Sequence, residues 1–206
     1  MCVAEQNVAI ERRALPAPTV NVLGRRRLNM VVIRLKNRVM NTTNRLQQID
    51  IWLRANRPDY YALLRPAETD ASLNDVESQL SVRLPDEFRL LYKWHGGQTP
   101  REFTPLVFNL TFMTLPEVVE MKTTLDQVAA YDQWDADHWR PDWIPFLDNG
   151  GGDLLCFDLG GYGTGVRNQM LWFDHESDKP DIMYESLDAF LADLYDRMLN
   201  NNLRLK

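Results

Sequence analysis

The chain has 206 residues, of which 45% are hydrophobic, and its formal net charge is −6. This composition predicts one domain with a sizeable core, and the absence of an apolar run of about eighteen residues excludes a transmembrane helix. The N-terminus lacks the apolar core of a signal peptide, and two cysteines, Cys2 and Cys156, are too few for a disulfide framework. We therefore expect a protein of the reducing cytoplasm.

Charge is divided unevenly along the chain. Residues 1–45 carry nine basic and two acidic side chains, a net charge of +7, whereas residues 46–206 carry fourteen basic and twenty-seven acidic side chains, a net charge of −13. Residues 1–39 are predicted to be a basic, disordered arm, or an upstream extension ahead of a start codon at Met30 or Met40. The arm has the charge to bind nucleic acid or an acidic membrane surface, whereas the acidic body repels nucleic acid and attracts a basic partner.

The first half of the predicted domain, residues 40–206, shows the periodicity of helices. One of Asn41, Thr42 or Thr43 is expected to cap the first helix. This helix is predicted to reach about Asn56. Its apolar residues recur at helical spacing, with a tryptophan beside them: Leu46, Ile49, Leu53 and Trp52.

Proline and serine mark three further helix starts. Pro58 suits the first turn of a short helix in PDYYALL, and Ser72 is expected to cap the next helix. Pro85 opens the helix PDEFRLLYKWH, which Gly96-Gly97 ends. The apolar positions of the last two helices are predicted to face the core: Leu73, Val76, Leu80, Phe88, Leu91 and either Trp94 or His95.

The second half is predicted to be rich in strands. Residues 105–113 read as a strand, and Thr114 and Glu117 then form a capping box for a helix over 115–131. Short strands follow in WIPFL, in DLLCFDL, in a segment around Val166 and MLWF, and in DIMYE.

Ser186 is predicted to cap a closing amphipathic helix. Its apolar side comprises Leu187, Phe190, Leu191, Leu194, Tyr195 and Met198. Helices, then strands, then a closing helix predict an α+β fold, in which helices cover one side of an antiparallel sheet.

The stretch WIPFLDNGGGDLLCFDL places Asp148, Asp153 and Asp158 around a glycine run. The spacing does not match a calcium-binding loop, and no helix or lysine follows the glycines as a phosphate-binding loop requires. Asn and Gly tolerate the positive φ of tight turns, so the run is predicted to be the turn of a hairpin. Pro145 fits an edge strand or the irregular start of a strand.

Catalytic candidates are isolated in the sequence. His95, His138 and His175 show no metal-binding spacing, and Cys156 lies in an apolar strand pattern that predicts a buried, inert thiol. We therefore predict no catalytic residue, no metal and no cofactor. The remaining enzymatic alternative is a metal-dependent hydrolase that uses Asp148, Asp153 and either His138 or His175.

Carboxylates and aromatic rings are concentrated between residues 126 and 158, where eight aspartates accompany one basic residue, Arg140. Aromatic anchors and charge are typical of protein interfaces, and the alternative interpretation is that the tryptophans belong to the core and the acids aid solubility. The predicted partner-binding residues are Asp132, Trp134, Asp135, Asp137, Trp139 and Asp142.

Four motifs, in order, resemble the SUKH superfamily, in its branch of Smi/Knr domains similar to regulators of cell-wall assembly. They are SLNDVESQLSVRLPDEFRLLYKWHGGQ, FMTLPEVVEM, WIPFLDNGGGDLLCFDL and YESLDAFLADL, and the resemblance covers about residues 42–200. His95 stands where the family usually has Asn, and Leu187 where it often has Phe.

The resemblance implies a helix-covered antiparallel sheet without catalysis. Within this fold it implies that Asp153 and Asp158 fix a turn or strand by hydrogen bonds. The full set of residues with an implied framework role is Glu77, Leu84, Pro85, Gly96, Gly97, Pro145, Gly151, Gly152, Asp153 and Asp158. Bacterial members look like immunity proteins that neutralise toxins, and fungal members like regulators of cell-wall synthesis. Our first hypothesis is an immunity protein that binds a basic toxin domain such as a nuclease, and the alternative is a regulatory scaffold. The oligomeric state stays open.

Overall fold

A computed structural model describes residues 41–203, and the basic arm predicted for 1–39 lies outside this range. The helices of the described part are α1 (41–56), α2 (Pro58–Tyr61), α3 (Asp70–Leu80), α4 (Asp86–Trp94), α5 (Leu115–Tyr131) and α6 (Leu187–Leu199). Its strands are β1 (Thr111–Phe112), β2 (Trp143–Asp148), β3 (Leu154–Asp158), β4 (Gln169–Phe173) and β5 (Asp181–Tyr184). None of these helices is long and apolar enough to cross a bilayer.

The strands form one antiparallel sheet in the order β1-β2-β3-β4-β5, so each strand pairs with the next one along the chain. This topology needs only turns and short loops between most strands, because antiparallel neighbours run in opposite directions. The longer connection, from β1 to β2, contains α5. The predicted α+β class with a helix-covered antiparallel sheet is confirmed.

Helices α4 and α6 cover one face of the sheet through aromatic contacts. The ring centroid of Phe157 in β3 lies 5.4 Å from that of Phe88 in α4. The ring of Phe146 in β2 lies 5.9 Å from that of Phe190 in α6. All four rings are almost completely buried, so this face contributes much of the apolar area removed from water.

The opposite face is covered as well, which corrects the expectation of one covered side. Helix α5 packs on β2, and Trp139, which follows α5, contacts Trp143 and Phe173 at centroid distances of 5.7 Å and 5.1 Å. Nearly every residue of β2 and β3 is buried. Continuous apolar runs of this kind are typical of strands that are covered on both faces.

Two predicted helix starts are displaced. Asn41, Thr42 and Thr43 already lie within α1, so none of them is its cap. Helix α3 begins a turn before Ser72, because Thr69 is the cap and Ser72 is the third helical residue of a reciprocal capping box. Serine here takes the place that Glu or Gln usually occupies, which conceals the motif in the sequence.

Two expected strands are shorter than their patterns. In residues 105–113 only Thr111–Phe112 form a strand, because the backbone turns at Phe108, whose φ is 56°. The N–H of Leu110 donates to the carbonyl of Val107 at 2.9 Å and closes this turn. Val166 lies in the loop before β4 and is exposed.

The other start signals are confirmed. Glu117 accepts the N–H of Thr114 at 2.7 Å, and helix α5 has its predicted bounds. Ser186 accepts the N–H of Ala189 at 3.2 Å at the start of α6, and Pro58 lies in the first turn of α2. These side chains satisfy N–H groups that have no partner within the helix.

We expect Leu191→Ala to lower the free energy of unfolding by about 2–5 kcal/mol, because Leu191 is 1% exposed and its truncation leaves a cavity. The matched control on the same helix is Leu199→Ala, at a residue that is 56% exposed, with an expected change below about 0.5 kcal/mol. Urea denaturation measures both. Equal losses would contradict the assigned buried face of α6.

Candidate functional site

A buried carboxylate organises the connection between β3 and β4. Asp158, the last residue of β3, is 0% exposed. Its Oδ1 accepts the N–H groups of Gly160 and Gly161 at 3.1 Å and 3.0 Å. Its Oδ2 accepts the N–H of Tyr162 at 2.5 Å and a side-chain N–H of Gln169 at 2.7 Å. Because a buried carboxylate is costly without such donors, these bonds select one conformation for residues 159–168, which we call the Asp158 loop.

The Asp158 loop packs against the residues that precede β2. A Cβ atom at Gly160 would overlap the carboxylate of Asp142. The Nε of Arg140 donates to Asp142 at 3.1 Å, and its guanidinium lies 6.0 Å from the centroid of the Tyr162 ring. The hydrogen bond to Asp142 raises the pKa of Arg140 above its ordinary value. The loop therefore positions Asp142 and Arg140 at the surface.

We expect Asp158→Asn to lower the free energy of unfolding by about 2–4 kcal/mol, because the amide replaces an acceptor oxygen by a donor and leaves buried N–H groups without an acceptor. Asp178→Asn, at an exposed residue, makes the same change of charge and is expected to cost less than about 0.5 kcal/mol. Chemical denaturation compares the two. Similar small losses would show that the loop does not depend on the Asp158 carboxylate.

Residues 132–142, which we call the acidic segment, connect α5 to β2 along the surface. Asp132, Asp135 and Asp137 are exposed, and Trp134 is partly buried. The Oδ1 of Asp135 accepts the N–H of Asp137 at 2.9 Å, which shapes the turn. Four of the predicted partner-binding residues are therefore accessible together on one segment.

The other two predicted partner-binding residues make contacts within the protein. Trp139 is 3% exposed, and its Nε1 donates to Asp126 at 2.8 Å. Asp126 also pairs with Lys122, whose side chain is 1% exposed. Trp139 is thus a core residue that a partner does not reach, and we remove it from the partner-binding set. Asp142 pairs with Arg140 and stays partly exposed.

The glycine run forms the turn of the β2–β3 hairpin, as predicted. The Oδ1 of Asn149 accepts the N–H groups of Gly151 and Asp153 at 2.7 Å and 3.0 Å, and its Nδ2 donates to Asp153 at 2.6 Å. Gly150 and Gly152 have φ angles of 73° and 109°, a conformation that favours glycine. Asn149, which the family motif did not single out, is the side chain that closes the turn.

Three of the framework residues lie at the connection between α3 and α4. The Oε1 of Glu77 accepts the N–H of Leu84 at 2.9 Å and lies 3.3 Å from the guanidinium of Arg89. Leu84 is buried, and Pro85 is the N-cap residue of α4. Glu77 therefore holds the connection between the two helices in place.

The framework glycines mark close backbone approaches. A Cβ at Gly96 would lie 2.7 Å from the carbonyl oxygen of Pro66, and one at Gly97, whose φ is 90°, would lie 2.5 Å from the carbonyl oxygen of Met113. Larger residues at either position would push these segments apart. Pro145 adjoins the irregularity in the pairing of β2 with β3, where a missing N–H is tolerated.

Among the described residues, those of the hydrolase alternative do not form one metal-binding group. Ligand atoms of Asp153, Asp174 and His175 lie within 4.8 Å of one another, a group that omits Asp148 and His138. The Nδ1 of His175 is 2.8 Å from Oδ1 of Asp153, so a hydrogen bond already engages that oxygen. Since His175 is exposed and the bond accounts for the contact, we assign no metal to this group.

We expect His175 to titrate above its ordinary pKa, because the hydrogen bond to Asp153 favours the protonated ring. Its contribution to stability is fully present below the pKa of an unfolded-chain histidine and is lost as the pH rises through the folded-state pKa. NMR titration of the imidazole measures this pKa. Asp153→Asn should lower it toward the ordinary value and the control Asp178→Asn should not. An unchanged pKa in Asp153→Asn would contradict the assignment.

Sequence reasoning missed a cleft of about 380 Å³ between α5 and the β1–β2 pair. Glu117, Glu120 and Met121 contribute from one face of α5, and their helical spacing is the signal that the sequence does contain. The opposite wall contains Thr111 and Asp148, which are paired across β1 and β2. That wall depends on strand pairing over 37 residues of sequence, which no local pattern reveals.

Fold and surface together define an α+β domain with a helix-covered antiparallel sheet, an acidic surface segment and a buried thiol. The model of the SMI1 / KNR4 family (SUKH-1) matches residues 67–193, more than half of the chain, and the chain belongs to this family. The match confirms the family that the four sequence motifs indicated.

Two curated relatives have regulatory names. The chain is 24% identical over 192 residues to a glucan synthesis regulatory protein of Neurospora crassa, covering 71% of this chain and 36% of the relative. It is 24% identical over 170 residues to the cell wall biosynthesis/cell cycle regulator smi1 of Schizosaccharomyces pombe, covering 71% of this chain and 34% of the relative. The chain thus spans about a third of the length of these relatives.

Proposed function

We propose that this chain is a non-catalytic, cytoplasmic module that binds a basic protein partner through its acidic segment. The observation that carries the proposal is the exposure of Asp132, Asp135 and Asp137 on one short segment. The ion pairs between residues 41–203 include none of these three carboxylates. Their charge is therefore available to attract and orient a cationic surface.

The chemistry of the described thiol and imidazoles supports a non-catalytic role. Cys156 is 0% exposed, and burial raises the pKa of its thiol, which keeps it protonated and unreactive. His95 contacts Asp50, His138 packs beside Trp134, and His175 bonds to Asp153. Each described imidazole therefore has a contact within the protein, which supports the non-catalytic proposal.

The proposal includes two classes of partner. As an immunity protein, the domain would cover the basic face of a toxin such as a nuclease, and the acidic segment supports this role. As a regulatory scaffold, it would bind a component of cell-wall or glucan synthesis, a role that the names of the two relatives support. The acidic segment suits a basic surface in either case, so the identity of the captured partner separates the two roles.

We expect the combined variant Asp132→Asn, Asp135→Asn, Asp137→Asn to slow association with the native partner by about tenfold at low salt, with less effect on dissociation, because exposed charges act mainly on encounter. The full-length chain is used to capture partners from native lysate at low and high salt. Mass spectrometry identifies the partner, and surface plasmon resonance then measures both rate constants.

The matched control changes three carboxylates elsewhere, as Asp174→Asn, Glu176→Gln, Asp178→Asn, and should slow association much less. Equal association rates for the wild type and the acidic-segment variant would contradict the proposed surface. A captured toxin would support the immunity role, and a captured component of envelope synthesis would support the regulatory role.

A further inference from the structure

The cleft between α5 and the β1–β2 pair combines acidic walls with an apolar floor. Glu117 and Glu120 line the α5 side, and Asp148 lines the strand side. Met113, which is 4% exposed, and Met121 contribute thioether surface between them. The volume of about 380 Å³ lies in the range of roughly 300–1,000 Å³ that is typical of ligand pockets.

The cleft concentrates negative charge without an internal counterion. The ion pairs between residues 41–203 include neither Glu117, Glu120 nor Asp148. Burial raises the pKa of Asp148, and the charges of Glu117 and Asp153 raise it further. A cation in the cleft would lower the pKa of Asp148 again, because a nearby positive charge favours the ionised carboxylate.

An exposed aromatic ring lies near the hairpin turn that follows Asp148. Phe103 is 75% exposed and lies beside Gly150, whose N–H donates to Asp148 at 2.7 Å. Met113 and Met121 give the cleft apolar surface, which favours a cation that also has an apolar stem. Methionine adapts its shape to such a stem, since its side chain is unbranched and flexible.

We propose that this cleft receives an arginine or lysine side chain of the protein partner. The apolar stem of that side chain would lie against Met113 and Met121, and its cationic group would pair with the carboxylates of Glu120 and Asp148. A simple inorganic cation would leave the methionine floor unused, whereas a long basic side chain complements both the floor and the walls. The inference rests on the proposed protein-binding function and adds a second contact point to it.

The end of the acidic segment and the strand wall of the cleft lie at opposite ends of β2. The acidic segment ends at Asp142, immediately before β2, and Asp148 is the last residue of β2. At a rise of about 3.3 Å per residue, they are separated by roughly 20 Å. A matching partner therefore presents basic groups with this separation, which would make binding at the two points mutually reinforcing.

The test uses the full-length chain labelled with ¹³C at the methionine methyl groups. The probe is the peptide acetyl-Gly-Ser-Arg-Ser-Gly-amide, and its counterpart carries citrulline, which has nearly the same shape without the charge. We expect the arginine peptide to shift the methyl signals of Met113 and Met121 and the citrulline peptide to leave them in place. No shift at these two methyl groups would overturn the proposal.

The cleft variant is Glu120→Gln with Asp148→Asn, in which the new amide oxygen can still accept the N–H of Gly150. It should weaken peptide binding by about fivefold or more, because it removes two charges from the cleft. The control Asp132→Asn with Asp137→Asn removes the same charge from the acidic segment. At about 0.15 M salt it should change binding less than about twofold, because Glu120 and Asp132 lie roughly 18 Å apart along α5, at about 1.5 Å per residue, which exceeds the screening length.

Three further outcomes would count against the cleft. They are equal weakening by both double variants, equal shifts by both peptides, and saturation of the methyl shifts by calcium chloride without any response to the arginine peptide. None of them involves the native partner. The cleft can therefore fail while the acidic segment still binds that partner, and the partner-capture experiment can fail while the cleft still binds the peptide.

Discussion

The buried carboxylate of Asp158 is the interaction on which the arrangement of the surface depends. Its charge would be costly in the core, and four N–H donors from the Asp158 loop and from Gln169 offset that cost. The loop then has one conformation, which packs Gly160 against Asp142 and places Tyr162 beside Arg140. A single buried acid thus connects the end of β3 and the start of β4 to the acidic segment.

The eight aspartates between residues 126 and 158 have different roles in the fold. Asp126 supports the buried Lys122 and Trp139, Asp153 closes the hairpin, and Asp158 organises its loop. The exposed acids of the acidic segment and the acids of the cleft are those that we propose for contact with a partner. The net charge therefore overestimates the number of carboxylates that a partner could contact, because several of them already accept hydrogen bonds within the protein.

Local signals explain what the sequence predicted well. The capping box of Thr114, the cap at Ser186 and the Asn-Gly turn of the hairpin each depend on hydrogen bonds between residues at most four positions apart. Apolar spacing likewise identified the buried faces of α1 and α6. Where a local signal failed, another local interaction replaced it, as when Thr69 took the cap role expected of Ser72.

The sequence by itself determined the α+β class, the order of the elements and the hairpin, because caps, turns and periodicity are properties of short segments, and the resemblance of four motifs indicated the family. Tertiary structure alone decided that both faces of the sheet are covered, that Trp139 is core, and that Asp148 meets the α5 face carrying Glu117 across a cleft. These outcomes depend on which distant segments share a face, and therefore on packing between elements that no local pattern encodes.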